Sequence, residues 1–337
     1  MWSPNPFLQK LYEDTVQTHV VDTRRNREHI KDFLIEALGD FTSLEGELQP
    51  QIIERVEYDT YERIRLEMQT CQSLKMPVYV LIPKMRSASP LPAVLAIHGH
   101  GYGSKEVVGL YPGGLPNLGV PGIHKNFAIE LVQRGVIVVA PELLGFGDRK
   151  LAATDSTTDN SCFELASQLL LHGKTLAGLR VYECTRVLDY LNGLPDIDND
   201  KIGCMGFSGG GLIAAFTSAI DERIKATVIS GYANTFKDSI MARRHCLDNY
   251  LPGILQNAEL PDLIGLIAPR SLCIESGIND HLFPFHGVQE AVHKLKKIYK
   301  SQNAKDAFTY DVFEGGHEVS GSKSFNWLVS ALIQNED

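Results

Sequence analysis

The stretch KIGCMGFSGGGLIAAF, residues 201–216, joins a short apolar strand pattern to a helical pattern through Gly-x-Ser-x-Gly. Ser208 falls at the sharp turn between strand and helix, where the backbone is strained. Gly206 and Gly210 lie two positions away on either side and lack side chains, which lets the strand and the helix approach each other. The turn projects the Ser208 hydroxyl from the sheet edge and aims the positive end of the helix at any negative oxygen that forms beside it. This pattern, a nucleophile elbow, predicts Ser208 as a nucleophile.

Length, composition and charge are those of an ordinary globular protein. The 337 residues fit one large α/β domain, and an apolar fraction of 44% with a charged fraction of 22% is ordinary for such proteins. A net charge of −9 without a basic run argues against nucleic acid or anionic membrane as a partner. The amino terminus lacks a basic start with an apolar run, so we expect a cytoplasmic location. Homo-oligomerisation stays open.

The cysteine pattern predicts free thiols. The six cysteines lie at positions 71, 162, 184, 204, 246 and 273. None forms a CxxC pair, and Cys204 and Cys273 fall inside predicted buried strands. Structural zinc sites need closely spaced Cys or His pairs, so we expect no metal.

Strand and helix patterns alternate along most of the chain. Residues 4–48 show helical spacing in two pieces, which we interpret as an N-terminal helical arm over residues 1–50. Three strand patterns follow over residues 51–83, and buried strands then alternate with amphipathic helices. The alternation predicts an α/β fold over residues 51–337, with a mostly parallel sheet and helices on both faces.

Two long segments interrupt this alternation, a first cap-like segment at 153–178 and a second at 234–262. Both follow strands whose carboxyl ends should flank Ser208, at the edge where α/β folds build substrate pockets. Aromatic and apolar side chains in these segments are candidates for lining the pocket, although they could equally just cover the core. The candidates are Phe163, Leu170 and Tyr250.

Four motifs, each at a predicted strand exit, resemble the α/β-hydrolase fold and, within it, the branch of acetyl xylan esterase and dienelactone hydrolase relatives. They are HGHG at 98–101, GFSGG at 206–210, GINDHLFP at 277–284 and EGGHE at 314–318. The resemblance covers roughly residues 50–335 and implies a catalytic Ser, Asp and His in that order. It does not extend to the N-terminal arm or the cap-like segments, so it implies no particular substrate.

The motifs supply a base and an acid for the serine. His317 follows two glycines and precedes the final helix, where a loop can place an imidazole over Ser208. Asp280 directly follows a strand and lies where the resemblance places the acid. The competing acids are Glu275, Asp238 and Asp311, and the histidines close to the acid are His281 and His286.

Backbone N–H groups at two turns are candidates for an oxyanion hole. Gly209 supplies one, and the resemblance assigns the other to His100. We expect His98 to hold this loop in shape through hydrogen bonds. Arg149, in GFGDR, could bind an acidic group on a substrate, although a structural ion pair is favoured.

Together these features predict a serine hydrolase that cleaves carboxylic esters of small molecules through a covalent Ser208 ester, without cofactor or metal. A peptidase of the same fold is one alternative. A binding protein that has the fold but lacks catalysis is another.

Overall fold

The computed structural model describes residues 2–17, 23–84, 90–152 and 160–333. The helices are α1 (Asn5–Gln17), α2 (Thr23–Leu38), α3 (Phe127–Val132), α4 (Cys162–Leu171), α5 (Leu176–Asn192), α6 (Gly209–Ile220), α7 (Leu260–Gly265), α8 (Phe285–Ser301) and α9 (Ser324–Ile333). The strands are β1 (Gln51–Glu57), β2 (Tyr61–Cys71), β3 (Leu74–Pro83), β4 (Leu91–Ile97), β5 (Ile137–Pro141), β6 (Ile197–Phe207), β7 (Ile224–Ser230), β8 (Ser271–Gly277) and β9 (Phe308–Phe313). Across the described ranges, no helix has both the length and the apolar character needed to cross a membrane.

The strands form a nine-stranded sheet in the order β1-β2-β3-β5-β4-β6-β7-β8-β9. The three strands predicted over residues 51–83 pair antiparallel with one another, and β3 is also antiparallel to β5. From β5 to β9 every neighbouring pair is parallel. The predicted mostly parallel sheet is therefore confirmed.

Helices cover both faces of the sheet, as β4 illustrates. Its side chains alternate between two apolar clusters, since successive residues of a strand point to opposite faces. Ala93, Leu95 and Ile97 belong to the cluster that α2, α5, α6 and α7 cover, whereas Val94 and Ala96 belong to the cluster that α3 and α9 cover. A strand buried on both faces reads as a continuous apolar run, which is why β4 was recognisable in the sequence.

The N-terminal helices differ in how they pack. Leu34 and Leu38 of α2 are buried in the larger apolar cluster, so α2 is part of the main core. Helix α1 leaves Phe7 and Leu11 more than half exposed, and its Tyr12 hydroxyl donates a hydrogen bond to Glu259. Part of the first cap-like segment, residues 153–159, lies outside the described residues.

The strand order places a crevice at the carboxyl ends of β4 and β6. From β4 the chain passes to β5 on one side and then returns to β6 on the other, and ligands of open α/β sheets bind where such a reversal occurs. Ser208 directly follows β6, and residues 98–101 follow β4. Asp280 and His317 follow β8 and β9 at the same edge.

Candidate active site

Ser208 occupies the turn between β6 and α6 with φ of 54° and ψ of −124°, a left-handed conformation that is strained for a serine. A Cβ atom added to Gly206 would lie 2.1 Å from the carbonyl oxygen of Gly210. One added to Gly210 would lie 2.2 Å from the carbonyl oxygen of Ile97. Only glycine fits at both positions, so the close approach expected from the sequence is confirmed.

A chain of hydrogen bonds connects the three residues that were predicted to act together. His317 Nε2 lies 2.8 Å from Ser208 Oγ, and His317 Nδ1 lies 2.7 Å from Asp280 Oδ2. The other oxygen of Asp280 accepts hydrogen bonds from the backbone N–H groups of Leu282 and Phe283, at 2.8 and 3.1 Å. Burial opposes ionisation of Asp280, but the hydrogen bond and charge of His317 outweigh it and lower the pKa of Asp280. An ionised carboxylate at Nδ1 favours the tautomer in which Nε2 accepts a proton.

Two aromatic rings fix the plane of the His317 imidazole. The Phe283 ring stacks on it with centroids 5.7 Å apart and an interplanar angle of 20°. The Phe207 ring, from the last residue of β6, lies 4.9 Å away on centroids. Packing therefore restricts rotation of the imidazole, so that its hydrogen bonds to Ser208 and Asp280 keep their direction.

The competing acids have other partners. Asp238 bonds to the hydroxyl of Thr235, and Asp311 pairs with Lys323. Glu275, at 0% exposure, accepts four hydrogen bonds from described residues, three of which fix the segment following His317. The donors are Ser230 Oγ at 2.8 Å, Ser320 N at 3.0 Å, Gly321 N at 2.9 Å and Ser324 Oγ at 2.6 Å. His281 and His286, the two histidines near the acid, are exposed.

The two residues predicted to supply oxyanion donors, His100 and Gly209, are neighbours in the structure. Gly209 begins α6, and the first N–H groups of a helix lack partners within the helix. The ring of His100 lies against Gly209, since a Cβ atom added there would be 2.9 Å from His100 Nδ1. Within the described part of the chain, the backbone N–H of His100 donates no hydrogen bond. Their role as donors to an oxyanion stays a prediction from the sequence.

His98 is fully buried and holds the loop after β4 in shape. Its Nδ1 lies 2.8 Å from the carbonyl oxygen of Gly99, and its Nε2 lies 3.0 Å from the backbone nitrogen of Leu143. A neutral ring with the proton on Nδ1 satisfies both groups. Burial lowers the pKa of His98 to about 3, so the ring stays neutral in the folded protein. His98 therefore has the structural role expected from the sequence.

We expect this histidine to make the protein sensitive to acid. The unfolded chain protonates His98 below its ordinary pKa of 6.5, whereas the folded protein does so only near 3. The unfolded state therefore binds more protons between these values, and stability falls as the pH is lowered through this window. When the pH is lowered from 7 to 5, the free energy of unfolding measured with urea should fall by about 2 kcal/mol more in wild type than in His98→Gln. His281→Gln, which changes an exposed histidine, is the control, and its stability should fall by the same amount as that of wild type. If His98→Gln lost as much stability as wild type over this pH range, the expectation would be contradicted.

Two buried groups near the loop had no signal in the sequence. His124 Nε2 accepts a hydrogen bond from Gly99 N at 2.9 Å. Glu142, which follows β5, accepts hydrogen bonds from the backbone nitrogens of Ser104 and Asp148 at 2.9 and 3.0 Å. Glu142 thereby connects the loops that leave β4 and β5, and burial raises its pKa. Gly99 lies 25 positions from His124 and Ser104 lies 38 from Glu142, so the local sequence does not reveal these contacts.

A cavity of about 320 Å³ opens at Ser208. Its lining residues are His100, Ile123, Ser208, Gly209, Arg244, His245, Cys246, Asn249, Leu282, Phe283 and His317. Residues 244–249 of the second cap-like segment thus reach the site. Phe163 and Leu170 of the first segment do not line it, because α4 turns Cys162 and Ala166 inward and leaves Phe163 66% exposed.

Two further candidates also lie away from this cavity. Arg149 is buried and forms a two-pronged ion pair with Glu183 of α5, at 2.8 and 2.5 Å, so its charge is directed into the protein. Its partner is Glu183 and not the adjacent Asp148, which pairs with Lys105. Tyr250 lines a neighbouring cavity between α1 and the second cap-like segment.

Comparison with known proteins places these features in context. A protein-family model described as "Abhydrolase family" matches residues 10–294 of this chain. The Bacillus subtilis (strain 168) protein named "Putative hydrolase YtaP" is 31% identical over 274 residues, which cover 79% of this chain and 85% of that protein.

Two solved structures illustrate the similarity in fold. The "putative acetyl xylan esterase" of Bacteroides fragilis NCTC 9343 superposes with a TM-score of 0.75 at 18% identity, covering 93% of this chain and 83% of the other. The glucuronoyl esterase of Solibacter usitatus gives a TM-score of 0.67 at 16% identity, covering 92% and 93%. At such identities the likeness extends to the fold alone, and it confirms the predicted α/β-hydrolase architecture.

Proposed function

Because this chain belongs to the Abhydrolase family, we propose that it hydrolyses carboxylic esters through a covalent ester of Ser208. The observation that carries the proposal is the chain of hydrogen bonds from Asp280 through His317 to Ser208. The relative named as a hydrolase and the structural neighbours named as esterases support the same reaction class. A small-molecule substrate and a cytoplasmic location stay predictions from the sequence.

In the proposed mechanism, His317 Nε2 takes the proton of Ser208 Oγ as this oxygen attacks the ester carbonyl carbon. Asp280 keeps the proton of the ring on Nδ1 and stabilises the imidazolium that forms. The imidazolium then gives its proton to the alcohol as the carbon–oxygen bond of the ester breaks, which leaves an acyl group on Ser208. A water molecule repeats the cycle, releasing the acid and restoring the serine.

The negative charge that develops on the carbonyl oxygen is bound by the N–H groups of Gly209 and His100 in this mechanism. The position of Gly209 at the start of α6 supports this role, since the positive end of a helix stabilises a nearby anion. The fixed conformation of the loop after β4 supports the role of His100, because donors that are already oriented lose no free energy to reorganisation.

The cavity favours a small substrate. At about 320 Å³ it lies near the lower end of the range for ligand pockets, about 300–1,000 Å³. Ile123, Leu282 and Phe283 give it apolar walls, whereas Arg244 and Asn249 supply polar groups. We therefore propose esters of short acyl groups as the preferred substrates.

The test is a panel of nitrophenyl esters of rising acyl length, measured beside a panel of aminopeptidase substrates on the same preparation. We expect turnover of the short esters to exceed that of every peptide substrate. Peptide turnover above ester turnover would favour the peptidase. Failure of a fluorophosphonate probe to label the protein would favour a binding protein without catalysis.

A single wall residue should control the acyl length. Leu282→Ala removes an apolar side chain from the cavity but keeps the backbone N–H that Asp280 accepts. We expect the preferred acyl length to increase, with the rate on an acetyl ester changed less than about tenfold, because a lost wall contact acts on binding and leaves the triad in place.

Phe163→Ala is the matched control, since that side chain lies outside the cavity. Across the ester panel, the turnover of Phe163→Ala should depend on acyl length in the same way as that of wild type. If the preferred acyl length changed in Phe163→Ala but not in Leu282→Ala, the first cap-like segment would form the wall of the acyl pocket instead.

A further inference from the structure

Four potential metal ligands from three separate segments converge beside the oxyanion loop. They are His100, Cys162, Cys246 and Asp248, whose ligand atoms all lie within 4.8 Å of one another. His100 comes from the loop after β4, Cys162 begins α4, and the other two belong to the second cap-like segment. The sequence did not reveal this cluster because its members are far apart in the chain.

The number and type of these groups suit a tetrahedral zinc ion. Zinc binds Cys sulfur at about 2.3 Å and His nitrogen or carboxylate oxygen at about 2.0–2.2 Å, so neighbouring ligand atoms in a tetrahedron are about 3.3–3.8 Å apart. His100 Nε2 already lies 3.6 Å from Asp248 Oδ2. The widest separation in the cluster needs to shorten by only about 1 Å to match this geometry.

The environment of His100 gives independent support. Its Nε2 atom is shielded from solvent and forms no hydrogen bond with any described residue. A buried polar atom without a regular hydrogen bond is costly, and the contact of this atom with Asp248, at 3.6 Å, is too long for one. The atom faces Asp248, so a metal in the centre of the cluster would satisfy it.

We propose that the chain binds one zinc ion through His100 Nε2, Cys162 Sγ, Cys246 Sγ and an oxygen of Asp248. This inference departs from the expectation that no metal is present, which rested on the spacing of the cysteines. Both cysteines would bind the ion as thiolates, so zinc binding would release thiol protons and become weaker at low pH.

Arg180 has a supporting part in this site. Its side chain is fully buried and donates hydrogen bonds to Cys162 Sγ at 3.1 Å and to Asp248 Oδ2. Donors behind metal ligands orient them and balance their negative charge. Because the guanidinium also bonds to the carbonyl oxygen of Leu144, it is held to one side of the cluster.

Zinc in this position would join the two cap-like segments to the loop that carries a proposed oxyanion donor. The ion would fix the ring of His100, the residue whose backbone N–H is a proposed oxyanion donor. Four protein ligands would leave the ion no open position, as in structural zinc sites. Binding of the ion can therefore be measured separately from ester hydrolysis.

The experiment measures the metal content of the full chain, purified with a phosphine reductant, supplied with zinc chloride and then freed of excess metal. Mass spectrometry of the metal should give one zinc per chain in wild type and in Cys71→Ala, a buried cysteine outside the cluster. Cys246→Ala should lose the ion. Cobalt supplied instead of zinc should give wild type the charge-transfer band of a cobalt–thiolate bond, and Cys246→Ala should lack it.

Thermal unfolding with a chelator supplies a second readout that separates loss of the ion from misfolding. A ligand that binds only the folded state stabilises it, so chelation should lower the Tm of wild type and leave that of Cys246→Ala unchanged. The proposal is overturned by zinc retained in Cys246→Ala, or by wild type that binds no zinc under reducing conditions.

Discussion

Ser208→Ala is expected to lower kcat for ester hydrolysis by about a million-fold, because His317 is left without a nucleophile to activate. The fold should persist, since among the described residues the hydroxyl bonds only to His317, and the alanine keeps the backbone hydrogen bond to Ser230. Steady-state kinetics with a short nitrophenyl ester and labelling by a fluorophosphonate measure the loss. Circular dichroism and the Tm verify the fold.

The matched control for this variant is Ser276→Ala. Ser276 is also a buried serine near the sheet edge, but its hydroxyl has no partner among the described residues. Its removal should leave kcat within a few-fold of wild type. Activity of Ser208→Ala within tenfold of wild type would reject Ser208 as the nucleophile.

Asp280→Asn is expected to lower kcat by about ten-thousand-fold through the wrong tautomer of His317. The two backbone N–H groups that bond to one side of the carboxyl will retain the amide oxygen there. The amide NH₂ then faces His317 Nδ1 and donates to it. Nε2 must carry the remaining proton and can no longer accept that of Ser208. A pH profile of kcat/KM and the ester assay measure this loss.

Glu275→Gln distinguishes the role of Glu275, in β8, from that of Asp280, in the loop that follows this strand. Glu275 now accepts hydrogen bonds from four donors, and the NH₂ group of a glutamine amide would face some of them. Donors that lose their acceptor in a buried site cost about 1–3 kcal/mol each, so urea denaturation should reveal reduced stability. The effect on kcat should be far smaller than that of Asp280→Asn. If the two effects on kcat were reversed, Glu275 would be the acid.

Local chemistry explains what the sequence predicted well. The turn at Ser208 depends on residues within two positions of it, and β4 is an unbroken apolar run because helices cover both of its faces. The hydrogen bonds among Ser208, Asp280 and His317 agree with the predicted triad, whose catalytic role stays a proposal. Free thiols were also predicted, and none of the six cysteines forms a disulfide.

Long-range packing explains what the sequence did not predict. Glu275 bonds to Ser230 and Ser324, which lie 45 and 49 positions away, and only the finished sheet edge brings these groups together. Periodicity shows that α4 has an apolar side but does not show what that side contacts. For this reason the sequence proposed Phe163 for the pocket wall, whereas the structure directs that side chain to solvent.

The position of β9 at the end of the sheet has a consequence for the order of events during synthesis. Ser208 and His317 are 109 positions apart, and His317 reaches the serine only after β9 has paired with β8. A ribosome makes the chain from its amino terminus, so a growing chain carries the elbow long before it carries the imidazole. The nascent protein thus holds an unactivated serine, and the proposed hydrolytic activity begins only when the last strand is in place.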